Sequence, residues 1–174
     1  MSVPDHRLAA LVAVAGLALL AACSDDAGTL EPMATQRAVG KAVAAEVDPK
    51  VTSTSCPDEI EREEGATFSC VVVLQGAGKL PVTVTQADGD GALDVEPEAA
   101  VVTQERITSE LKASLKDQFE RNFQVSCDTD EVAVREPGST STCAARDATS
   151  RRTVTVTVTD AAGTLAFEVE DAAG

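Results

Sequence analysis

The chain has 174 residues, with 29 acidic against 14 basic side chains, a formal charge of −15, and four aromatic residues, all phenylalanine. That balance excludes a nucleic-acid partner, because phosphate binding needs clustered Lys and Arg. It also disfavours docking on anionic headgroups through a basic face.

The first segment reads as a targeting signal. Arg7 lies in a polar start, and residues 8–22 then run apolar without a charge. Such a run falls short of the ~20 residues that span a bilayer but suits a secretory h-region. Leu20-Ala21-Ala22-Cys23 resembles the bacterial lipobox. Small residues fit a peptidase cleft there, and the cysteine thiol accepts a diacylglycerol. Residues 1–22 are therefore expected to be a lipoprotein signal peptide, Cys23 the lipidated first residue, and 23–32 a tether. Two or three acyl chains hold a protein stably on a membrane, so the expected location is the extracytoplasmic face of the cell membrane. His6 leaves with the signal, and because Asp5 and Arg7 cancel, the remaining chain keeps a charge of −15.

Four cysteines follow in a compartment that favours bridges. Of the three connectivities they allow, only Cys56 with Cys70 and Cys127 with Cys143 gives each half its own closed loop. A loop of about 15 residues is worth ~3 kcal/mol in the chain-entropy model, which matters for units near 70 residues with few large apolar side chains. A zinc site would need a two-to-four-residue spacing or histidines, and a redox pair would need Cys-x-x-Cys. No metal or cofactor is expected.

Taken in chain order, residues 33–98 and 105–172 read as two copies of one unit. Val39, Val43 and Val47 mark a helical stripe in copy one, ended by Pro49, and strands are predicted near 50–56, 66–74, 80–86 and 92–96. Residues 96–100 read as a short linker with little to bury. In copy two Ile107, Leu111, Leu115 and Phe119 recur every fourth residue, with Thr108 or Ser109 as N-cap. Strands are predicted near 122–127, 139–146, 152–160 and 164–170; within the third, Val154, Val156 and Val158 alternate with threonine, so one face is buried and one is wet. Turns fall at 88–91 and 161–163. Residues 65–70 align with 138–143 at an offset of 73, and 82–96 with 156–170 at an offset of 74, which implies one residue added between the middle strands of copy two. The expected fold is α+β: two tandem small domains, each one helix on a four-stranded antiparallel meander with one intradomain disulfide.

Cys56-Pro57, an acidic stretch, Gly65-x-x-Phe68-x-Cys70, a Val-Thr-Val strand and an Asp-Gly turn together resemble the actinobacterial domain of unknown function DUF4333. The resemblance is fuller over residues 30–98 than over 105–172, where Asp128 replaces the proline and Ser141 the phenylalanine. It implies a small exported or membrane-tethered protein, often a lipoprotein, and brings no activity and no catalytic residue.

Sharper motifs do not assemble into chemistry. Ser109-x-x-Lys112 matches a penicillin-binding motif, but no Lys-Thr-Gly accompanies it. Asp88, Asp90 and Asp94 lack the glycine and glutamate of a calcium loop, with Leu93 and Ala99 in their places. Without histidine or a free thiol there is no activated nucleophile, so the protein is expected not to be an enzyme. The acidic run Asp58, Glu59, Glu61, Glu63 and Glu64 reads as a solvated helical turn with Ile60 tucked under it. The expected role is protein binding or scaffolding in the cell envelope, with Glu61, Glu63 and Glu64 as the candidate contacts and an envelope protein as partner. The alternative is an extracytoplasmic carrier of a lipid or other apolar ligand.

Overall fold

A computed structural model describes residues 28–171; His6, Cys23 and the expected signal peptide lie outside the described residues. Helix α1 (Pro32–Glu46) starts on a proline whose missing N–H costs nothing at that position. The Glu31 carboxylate caps it by accepting from the amides of Met33 and Ala34. The buried stripe is Thr35, Val39 and Val43, one turn earlier than expected, and Val47 is the C-cap. Gly40 serves close approach: a β-carbon there would lie 2.7 Å from the Thr54 hydroxyl.

Strands β1 (Val51–Ser55), β2 (Thr67–Leu74), β3 (Gly78–Gln86) and β4 (Leu93–Pro97) follow as an antiparallel meander in sequence order. Val72, Leu74, Leu80, Val82 and Val84 close the first core against Val39 and Val43. Copy two repeats the plan. Helix α2 (Gln104–Phe119) lays Ile107, Leu111 and Leu115 on a sheet of β6 (Gln124–Cys127), β8 (Thr140–Arg146), β9 (Arg151–Val158) and β10 (Leu165–Asp171), ordered β10-β9-β8-β6. Phe119 meets Phe123 edge-on at 5.9 Å, and the Arg152 guanidinium covers the Phe119 ring at 4.2 Å. The disulfides are Cys56–Cys70 and Cys127–Cys143.

Three expectations need correction. The N-cap of α2 is Thr103, whose hydroxyl accepts from the Arg106 amide at 3.1 Å, so the helix begins more than one turn ahead of Thr108 and Ser109. The linker with little to bury is instead interior: Ala99 and Ala100 are 1% and 2% exposed. From Ala100 the chain forms β5 (Ala100–Thr103), which pairs with β7 (Val132–Arg135) from inside the second cysteine loop. This ribbon has two apolar faces. Val101, Val132 and Val134 pack on the first core, and Ala100 and Val102 on the second.

The third correction is the internal alignment. Cys70 lies opposite Val82, and Cys143 opposite Val154, so the structurally equivalent residues of β3 and β9 are 72 apart and not 74. The turns agree: Asp88 accepts from the Ala92 amide at 2.9 Å, and Asp160 from the Thr164 amide at 2.9 Å. Copy two has thus lost a residue between its middle strands. Valine alternating with threonine matches itself after a two-residue slip, because the side-chain period of a strand is two.

Candidate interaction surface

The first cysteine loop is held by its backbone and leaves its carboxylates free. Residues 57–66 form no helix, contrary to expectation. The amide and carbonyl groups that a helical turn would use are taken by the chain leading into α1. The Leu30 amide donates to the Ile60 carbonyl at 2.8 Å, and the Arg62 amide to the Gly28 carbonyl at 2.9 Å, around an antiparallel bridge of Thr29 with Glu61. Leu30 and Ile60 are both buried beneath it. The chain is therefore tied down from Gly28, within the stretch expected to be tether.

Gln86 fastens the other side. It ends the inward-facing series Leu80, Val82 and Val84 on β3 and is 1% exposed. Its Nε2 donates to the Glu61 carbonyl at 2.8 Å, and its Oε1 accepts from the Glu63 amide at 3.1 Å. The Gly65 amide donates to its backbone carbonyl at 2.8 Å, from a left-handed conformation (φ 79°) suited to glycine. Sequence reasoning passed over this residue, although a polar side chain at an inward position of an alternating strand was the available signal. Asp58, Glu59, Glu61, Glu63 and Glu64, with Arg62 among them, all remain exposed, and none takes part in an ion pair among the described residues. A fixed backbone carrying unpaired carboxylates loses little entropy on binding.

The second cysteine loop is built differently. Its centre is β7, and the Val134 amide donates to the Ala77 carbonyl at 2.9 Å, in the β2–β3 turn of copy one. The two loops are nevertheless one device. Thr103 pairs with Val132 as Thr29 pairs with Glu61, and the Gln104 amide donates to the Glu131 carbonyl at 2.9 Å as Leu30 does to Ile60. Glu61 and Glu63 thus stand where copy two has Val132 and Val134. Valines cover copy one; among the described residues the glutamates cover no other copy, as at the polar end of a repeat array.

Elsewhere the polar groups serve the fold. Ser109 donates its hydroxyl to the Arg106 carbonyl at 3.0 Å, and Asp88 caps its own turn. Among the described residues no group of three or more His, Cys, Asp or Glu could hold a metal ion. Asp147 accepts from the Thr149 and Ser150 amides at 2.7 and 2.6 Å and pairs with Arg121 at 3.3 Å. The Thr149 amide chiefly holds its carboxyl well below the usual range. Hydrogen bonds from Thr164, the backbone one foremost, lower Asp160 in the same way. Beside the β5–β7 ribbon an open cleft of about 670 Å³ is lined by Val47, Pro49, Leu80, Pro97, Val101 and Arg106 among others. No described helix is long and apolar enough to cross a membrane.

Fold and surface together define a class: a disulfide-stapled α+β unit, present twice, whose cysteine loop is laced to the segment that precedes its helix. Residues 12–91 match the family described as Domain of unknown function (DUF4333), a match that spans most of copy one. The match starts ahead of Cys23 and ends at Gly91, leaving copy two outside the matched residues. Neither a curated protein nor a solved structure matches the chain.

Proposed function

We propose that the protein is a non-catalytic, lipid-anchored component of the bacterial cell envelope that binds another envelope protein through the acidic loop of copy one. The carrying observation is the double lacing of that loop, by Gly28 and Leu30 on one side and by Gln86 on the other, which presents Glu61, Glu63 and Glu64 in fixed positions. Such pre-organisation favours specific recognition of a basic surface. The lipobox-like Leu20-Ala21-Ala22-Cys23 supports the anchor. Gly28 follows Cys23 by five positions, a reach of at most roughly 18 Å when extended. The acidic loop would then work close to the membrane surface, on partners held at the same height.

A cross-linked pull-down of the lipidated protein from its own envelope, repeated with Glu61, Glu63 and Glu64 changed to Gln, tests this reading. A specific protein recovered with the wild type and lost with the variant is the expected result. Equal recovery with both would rule the loop out as the contact. The carrier alternative has one observation in its favour, the interdomain cleft of about 670 Å³, a volume within the range of small-molecule sites. A stoichiometric lipid extracted from purified protein, with no protein partner, would establish it instead.

A further inference from the structure

The chain contains one worked example of how its ribbon docks. Copy two presses Val132 and Val134 of β7 onto the β2–β3 turn of copy one. The Val134 amide donates to the Ala77 carbonyl, and a Val132 methyl lies 3.8 Å from where a β-carbon on Gly76 would sit. Both partners in this contact recur among the described residues without an occupant there. The ribbon of copy one, residues 28–30 with 60–63, carries Glu61 and Glu63 at the docking positions, flanked by Asp58, Glu59 and Glu64. The receiving turn of copy two is the β8–β9 turn, residues 147–150.

That turn is basic. Arg146 and Arg151 face each other directly across the end of the hairpin, and Arg121 reaches the turn through Asp147. Both hairpin arginines are exposed, and neither carries an ion pair among the described residues. Like charges directly opposite on adjacent strands are destabilising, and this chain has twice as many acids as bases with which it could have neutralised them. In copy one the equivalent cross-strand pair is Val73 with Lys79, a single basic side chain, and the strands end one pair further on in Leu74 and Gly78. The receiving end of copy two therefore carries two facing arginines where that of copy one pairs a valine with one lysine, and the more basic end is the one left for the glutamates of copy one.

We infer that the protein associates head to tail, the acidic ribbon of one chain docking on the Arg146–Arg151 turn of a second copy as β7 docks on the turn of copy one. The contact is heterologous, so it propagates along a row and does not close as a two-fold dimer. The net charge of −15 opposes association at long range, but at physiological salt charges further apart than about 8 Å are screened, and the facing glutamates and arginines decide. The inference rests on the binding reading of the acidic loop and gives it a partner.

Sedimentation velocity on the full chain with Cys23→Ser, which removes any acyl-driven aggregation, tests it. The average mass should rise with protein concentration and fall back in high salt. Glu61→Arg with Glu63→Arg, and separately Arg146→Glu with Arg151→Glu, should each weaken association by ~tenfold or more. Mixing the two reversed variants should restore it, since each then supplies the end that the other lacks; misfolded proteins would not complement one another. A chain that stays monomeric at all concentrations, association indifferent to the reversals, or a mixture that does not recover would each overturn the inference. Monomeric behaviour combined with an envelope partner lost on the Gln substitutions would remove self-association and leave the binding reading standing.

Discussion

Gln86 shows how a single side chain separates the two copies. Its backbone carbonyl accepts from Gly65 as that of Val158 does from Gly138, so the two residues are structural equivalents, yet one is a loop clamp and the other core. Gln86→Leu should leave the Glu61 carbonyl and Glu63 amide without their partners and cost about 1–3 kcal/mol. A lowered denaturant midpoint, with faster amide exchange at Glu63 and no change at β8 and β9, is the expected outcome. The aspartates of copy two make a second claim at this scale. Asp147 and Asp160 are depressed by hydrogen bonds present only in the fold. Their contribution is complete above the unfolded carboxyl range, near ~3.9, and is lost as pH falls below it toward the folded values. Asp147→Asn with Asp160→Asn should therefore destabilise the protein at neutral pH and flatten its loss of stability in acid, as read from urea midpoints across that range.

At the scale of elements, what was legible is what repeats with a period. The α2 stripe and the eight meander strands follow from periodicity and turn residues, and the disulfides from the arithmetic of two closed loops. Strands β5 and β7 were not legible. Ala-Val-Val-Thr and Val-Ala-Val-Arg are too short to show a pattern, and they are buried only because two cores meet on them. The acidic loop was recognised as a surface, but its backbone was misjudged because its partners, Gly28, Leu30 and Gln86, are distant in sequence. The ribbon can be tested by writing copy one's residues into copy two. Val132→Glu with Val134→Glu should cost roughly 2 kcal/mol or more, through lost burial and two charges placed against an apolar core. Amide exchange at Val134 should rise while each disulfide stays intact. The staples have their own test. Cys70→Ala with Cys56→Ala should cost ~3 kcal/mol in the chain-entropy model, with copy one melting ahead of copy two.

For the whole molecule, the two copies are not beads on a linker. Copy one takes Ala99, Val101, Val132 and Val134 from beyond its own meander. A fragment ending at residue 98 should therefore be measurably less stable than the same copy within the full chain. Among the described residues, stacking of this kind leaves one ribbon without a copy to cover, and that ribbon is the one nearest Cys23 in sequence. On this account the carboxylates of Glu61 and Glu63 are occupied when the protein sits in its own envelope and open when it is purified. The most direct measurement is carbodiimide footprinting of carboxyl groups on intact envelopes and on purified protein, with Glu168 and Glu170, exposed on the outer face of β10, as internal reference. Glu61 and Glu63 should be labelled several-fold less in the envelope relative to that reference. Equal labelling in both states would contradict the account, leaving the acidic loop a solvated cap on the stack.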